Sequence, residues 1–185
     1  MRTRRTPKES LAGHLLLAHP VMRDPNFGRA VVLMSAHDAN GALGVVINQP
    51  LRRTLEEISA DFALSPLSAV PVYRGGPVET EKLILAAWRW HEKTDDFELQ
   101  FGLDVDRALE LIAEPDITMR AFLGYSGWGK GQLENEMKHN TWFVAGPADY
   151  NLDAHDGPAL WRMILGSLDP ELKLLVDEPD NPSLN

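Results

Sequence analysis

The sequence predicts an α+β fold, a mixed and mainly antiparallel sheet with helices packed around it. Short runs of β-branched and aliphatic residues mostly come in adjacent pairs joined by turn-like segments, and stretches of helical periodicity are inserted between the pairs. The regular strand, helix, strand alternation that builds a doubly wound parallel sheet is absent.

Residues 15–18 and 30–36 are short apolar strands. The second is followed by His37, Asp38, Ala39, Asn40 and Gly41 and then by an apolar run over 43–48, which predicts a hairpin with Asn40 and Gly41 supplying positive φ. After Pro50, the residues Leu51, Leu55, Ile58 and Phe62 recur at helical spacing, with Thr54 and Glu57 in the form of a capping box. Residues 70–73 and 83–88 read as strands on either side of Arg74, Gly75, Gly76, Pro77 and Val78, and 97–101 as a further short strand. Asp104 caps a helix that runs to about residue 113, where Glu114 and Pro115 stop it. Residues 118–125 return to strand, 126–131 form a glycine-rich loop, and 132–139 form a polar helix. A strand over 141–145 and a last helix from Asp156 and Pro158 to about residue 166 complete the elements. The Pro- and Asn-rich stretch from residue 177 onward is read as irregular.

A chain of 185 residues can withdraw most of its apolar surface from water without metals or disulfides. There is no internal repeat and no linker composition, so residues 11–185 are read as one domain and 1–10 as a disordered basic tail. The absence of cysteine excludes a disulfide framework, a thiol nucleophile, an iron–sulfur cluster and a cysteine zinc site, and it accords with a cytoplasmic protein. The formal net charge is -9, and the first ten positions hold four basic residues and one acidic one, so the body beyond them stands at -12. Such a body repels phosphate, and direct nucleic-acid binding is not expected. Arg4 and Arg5 open the chain in the manner of an export signal, but Gly13, His14, His19 and Pro20 break the apolar run that a signal needs. No segment approaches the ~20 apolar residues of a membrane span.

Residues 124–130 match the first seven positions of a phosphate-binding P-loop, yet the eighth, which needs a Ser or Thr hydroxyl for magnesium, is Gly131. Glu134 in the following helical turn competes with phosphate for the same backbone N–H groups. Ser126 invites comparison with the Gly-x-Ser-x-Gly elbow of hydrolases, but Trp128 stands where tight packing requires Gly, and no histidine is placed beside it by spacing. His14 and His19 leave opposite faces of an extended segment, and there is no His-x-x-x-His, so neither metal nor cofactor is expected. Gln132 and Glu136 share one helix face near Trp128 and Trp142, as the polar lining of a pocket would, while Glu134 and Lys138 have the spacing of an exposed ion pair. Asn48 ends an apolar strand where it can bond either the Gly75 turn or the Ser126 loop.

Four segments together resemble the AlgH/YqgE family of small bacterial proteins: residues 19–27 (HPVMRDPNF), 41–50 (GALGVVINQP), 73–78 (YRGGPV), and 124–128 (GYSGW) continuing to 132–136 (QLENE). They occur in the family's order and span nearly the whole chain after Gly13. The resemblance implies a sheet that partly curls into a barrel with helices around it, and it implies no known reaction. A transcriptional-regulator label travels with the family, and the acidic body argues against direct DNA binding as its basis. Where relatives commonly carry a Leu-His pair, this chain has Ala86, Ala87 and Trp88, so no role imagined for that histidine carries over.

On these grounds the expected function is a non-catalytic binding or regulatory one, exercised on a protein or a small ligand. The expected surface comprises Asn48, Gly75, Gly76, Pro77, Tyr125, Ser126, Gly127, Trp128, Gln132 and Glu136, gathered where the two glycine-bearing stretches meet around a recess. The alternative is a hydrolase or transferase using the Ser126 loop and Glu136, which requires a carboxylate or histidine within hydrogen-bond reach of Ser126. Partner and oligomeric state leave no mark in the sequence.

Overall fold

The computed structural model of the protein describes residues 10–147 and 150–176. Its elements run β1 (Leu15–Ala18), β2 (Val31–Asp38), β3 (Gly41–Val46), β4 (Pro50–Thr54), α1 (Leu55–Ile58), a 3-10 turn (Ala60–Phe62), β5 (Pro71–Arg74), β6 (Val78–His91), β7 (Asp96–Phe101), α2 (Val105–Ile112), β8 (Thr118–Gly129), α3 (Gln132–Lys138), β9 (Trp142–Ala145), α4 (Gly157–Leu168) and α5 (Pro170–Val176). The strands form one sheet in the order β4, β5, β8, β3, β2, β1, β9, with β6 on the other side of the first half of β8 and β7 outside β6. Pairings are antiparallel except β5 with β8, and the sheet curls into a half-barrel, the α+β architecture that the sequence predicts.

The curl separates three apolar clusters. The inner face carries Leu15, Leu17, Val31, Val45, Ile84, Trp88 and Phe122, and α4 and α5 fill it with Leu160, Trp161, Ile164 and Leu172. Trp161 Nε1 donates to Ala18 O at 2.8 Å, pinning α4 to β1. On the outer face, Leu55 and Leu111 from α1 and α2 cover Val72, Leu85 and Ala121, while Leu133 from α3 covers Val46, Trp128 and Trp142. β1 is buried on both sides, the reason its sequence is continuously apolar. Complete burial of a Leu stabilises by about 1.5–3 kcal/mol relative to exposure, so these faces anchor the curl.

Gly124 sets the phase of β8. Its φ of +73° lies in the left-handed region, and beyond it the side-chain alternation inverts: Phe122 faces the inner cluster, whereas Trp128, also even-numbered, faces the outer one.

Several local signals operate as read. Asp104 Oδ1 accepts from Arg107 N at 2.8 Å at the head of α2, and Thr54 with Glu57 makes the capping box. The box, however, opens a helix of only four residues. Residues 50–54, which helical spacing assigned to that helix, are the strand β4 against β5, because the sheet edge offers the backbone partners and Leu51 stays exposed. Residues 126–129 are likewise strand rather than loop: Ser126, Gly127, Trp128 and Gly129 oppose Gly44, Leu43, Ala42 and Gly41 of β3. The hairpin between β2 and β3 turns through Ala39 and Asn40, with positive φ on Gly41 but not on Asn40. The strands flanking Arg74–Val78 do not pair with one another; they bracket β8, β5 parallel and β6 antiparallel. Helix α5 follows α4 directly, beyond the last helix that the sequence predicts. Of the basic tail, residues 1–9 lie outside the described residues, while Ser10 Oγ donates to His37 O at 2.9 Å; the irregular stretch from 177 also lies outside.

Candidate functional site

The two glycine-bearing stretches, about fifty residues apart in sequence, meet in space. Gly75 N donates to Leu123 O at 2.9 Å, and Gly75 O accepts from Val46 N at 2.9 Å and from Ser126 Oγ at 3.1 Å. A methyl group at Gly75 would lie 2.3 Å from Gly124 O, and one at Gly76, whose φ is +152°, would lie 2.3 Å from the Tyr125 carbonyl. The glycines therefore permit backbone to pack on backbone. The recess expected between them is replaced by direct contact, and only Pro77 and Gly127 of this seam stand exposed.

Glu136 is turned inward on the sheet, and the exposed Gln132 bonds it from the solvent side. Glu136 Oε2 accepts from Trp128 Nε1 at 2.9 Å and from Trp142 Nε1 at 2.8 Å, and its Oε1 accepts from Gln132 Nε2 at 3.0 Å. Gln132 Oε1 in turn accepts from Gly129 N at 3.0 Å. The two indoles pack edge to face, 6.0 Å between centroids, with Phe27 against both. One carboxylate thus ties α3 to β8 and β9. Glu134 bonds His37 Nε2 at 2.8 Å, which holds its carboxyl below the usual range.

Asn48 is buried and bonds neither the Gly75 turn nor the Ser126 loop. Its Oδ1 accepts from Val31 N at 2.8 Å, and its Nδ2 donates to Arg29 O at 2.9 Å and Gly157 O at 2.8 Å, joining the start of β2 to the head of α4. Tyr125 is half-buried, and its phenol is pushed up by a hydrogen bond to Glu79. Ser126 is fully buried and donates to a backbone carbonyl. No carboxylate or histidine bonds it among the described residues, so the base required by the hydrolase reading is missing there.

A cavity lies elsewhere, beneath the β6–β7 hairpin. It measures about 940 Å³ and is lined by Trp88, Trp90, Phe97, Tyr150 and Leu152, with Arg89, Lys93, Asp116, Thr118 and Asp153 among its charged and polar walls. That volume is in the range of small-molecule sites. Beside it the Arg120 guanidinium is buried between two rings, 4.3 Å from the Tyr73 centroid and 5.2 Å from that of Trp88. Arg120 donates to Ile47 O, Leu152 O and Asp153 Oδ1, and Thr118 Oγ1 donates to Asp153 Oδ2 at 2.8 Å. Burial pushes the Tyr73 phenol up, and that phenol donates to Asp156 Oδ1 at 3.2 Å.

Three of the five indole N–H groups are spent inside the protein, those of Trp128 and Trp142 on Glu136 and that of Trp161 on Ala18 O. Trp88 and Trp90 make no hydrogen bond among the described residues, and both line the cavity. Trp88 is 3% exposed, yet no buried side-chain nitrogen lacks a partner, so its N–H reaches the open space. The sequence carries one signal for this, Trp88-Arg89-Trp90, which sets two indoles on one face of a strand.

A family model described as AlgH-like matches residues 15–173. A UPF0301 protein of Streptomyces avermitilis is 37% identical over 191 residues, covering 97% of this chain and 98% of its own. The UPF0301 protein azo3459 of Azoarcus sp. strain BH72 is 38% identical, covering 80% and 82%. Among solved structures, the solution structure of the AlgH protein from Pseudomonas aeruginosa superposes with a TM-score of 0.64 at 27% identity, covering 97% of this chain and 100% of that one. The crystal structure of protein DIP2367 from Corynebacterium diphtheriae superposes at 0.70 and 22% identity, covering 96% and 95%, a likeness of fold.

Proposed function

The chain belongs to the AlgH-like family, and from that premise we propose that it is a non-catalytic binding or regulatory protein of the bacterial cytoplasm, acting through a small ligand held beneath the β6–β7 hairpin. The observation that carries this reading is the pair of unspent indole N–H groups, Trp88 and Trp90, where aromatic side chains line a cavity of ligand size. An apolar body against Trp90, Phe97 and Tyr150 with a hydrogen-bond acceptor toward Trp88 suits it. The enzymatic alternative loses its ground, since Ser126 is sealed against a carbonyl and Glu136 is held by two indoles. Regulation of transcription by direct DNA contact is disfavoured by the acidic body.

The test is a screen of metabolite-sized aromatic amides and acids, read by the five indole N–H resonances in proton–nitrogen correlation spectra. Ligands of this site shift the Trp88 and Trp90 signals, leave Trp128 and Trp142 in place, and lose affinity in Trp90→Ala. Ligands that move only Trp128 and Trp142 return the site to the glycine seam, and a library with no hit on Trp88 or Trp90 defeats the proposal.

A further inference from the structure

Three strands end the sheet among the described residues, and they differ in how their open edges are guarded. β4 begins with Pro50, has Arg52 at a φ of +54°, and slips register between Pro50 and Arg53, each of which spoils a ladder. β9 has only four residues. β7 has six, pairs with β6 in unbroken register from His91 opposite Asp96 to Ala86 opposite Phe101, and contains neither proline nor lysine. Its other edge meets no strand among the described residues. An unguarded edge of this length is a template for another strand.

The sequence of β7, Asp-Phe-Glu-Leu-Gln-Phe, favours its own copy as that strand. A two-fold axis requires each residue to face its mirror position. With the axis at Leu99, Phe97 faces Phe101 of the second copy, Glu98 faces Gln100, and Leu99 faces Leu99, so aromatic and aliphatic pairs form on one face and a carboxylate meets an amide on the other. With the axis at Glu98, two carboxylates oppose each other directly. With the axis at Gln100, only Leu99, Gln100 and Phe101 find partners within the strand. We propose that the protein forms a homodimer by antiparallel pairing of β7 with β7 of a second copy, in the register centred on Leu99.

Sedimentation equilibrium of the full chain over a dilution series reads the association. The expected result is a monomer–dimer equilibrium that Leu99→Lys weakens by about tenfold or more, since it sets two ammonium groups on the axis. An equimolar mixture of Leu99→Lys with Leu99→Glu then restores a mixed dimer. Hydrogen exchange of the wild type gives a reading independent of any substitution: amides within 96–101 slow as concentration rises. A wild type that stays monomeric throughout, or a dimer with exchange of 96–101 indifferent to concentration, overturns the proposal. A dimer that Leu99→Lys leaves intact overturns the register.

Discussion

Replacing Glu136 by alanine isolates the carboxylate that bonds two tryptophans at once. Trp128 is 6% and Trp142 5% exposed, and each spends its N–H on the same oxygen, at 2.9 and 2.8 Å. Alanine strands both donors in an apolar cluster where little water reaches them, and each orphaned donor costs about 1–2 kcal/mol. The sum is about 2–4 kcal/mol, to which the lost Gln132 bond on the exposed side adds little. Glutamine keeps one neutral acceptor oxygen and should cost about 1 kcal/mol. At roughly 2–4 °C per kcal/mol for a chain of this length, the alanine variant melts about 4–16 °C early and the glutamine variant a few degrees early. Urea unfolding followed by far-ultraviolet circular dichroism measures both. If Glu136→Ala lies within about 0.5 kcal/mol of wild type, or falls level with Glu136→Gln, the double indole bond is not what holds α3 to the sheet.

Gly75→Ala places a methyl group 2.3 Å from a main-chain oxygen that cannot move aside, and should cost about 3 kcal/mol or more; Gly127→Ala, whose nearest atom is the Tyr125 ring at 3.4 Å, should cost under about 1 kcal/mol, and equal melting temperatures refute the seam. Glu98 is held at about 2 by hydrogen bonds from His91, Gln100 and Arg89. A carboxyl depressed in the folded state stabilises fully above its unfolded range and loses that contribution as pH falls toward 2, so the gap between wild type and Glu98→Gln should narrow in acid; a gap constant down to about pH 3 contradicts it.

The sequence by itself determined what depends on a few neighbouring residues. The capping box of Thr54 and Glu57, the Asp104 cap and the β2–β3 hairpin are contacts closed within a turn or two, and their chemistry is legible in order along the chain. The four family segments also mark places where the chain crowds itself: 74–78 and 124–128 do touch. Misreadings fell where a local preference met a distant partner. Residues 50–54 have helical spacing but find β5, and the flexible composition of 126–129 suggested a loop until β3 took its backbone.

Only the tertiary structure decided what the glycines were for. A glycine permits a ligand or another backbone to approach equally well, and nothing near Gly75 in sequence states which; Gly124 O arrives from another strand and fills the space. The same holds for the polar side chains, since Asn48, Ser126, Gln132 and Glu136 bond groups in other elements that the sequence does not set beside them. The cavity draws its walls from residues 88–94 and 97, 116 and 118, and 147 and 150–153, and a hollow exists only once such segments stand opposite one another.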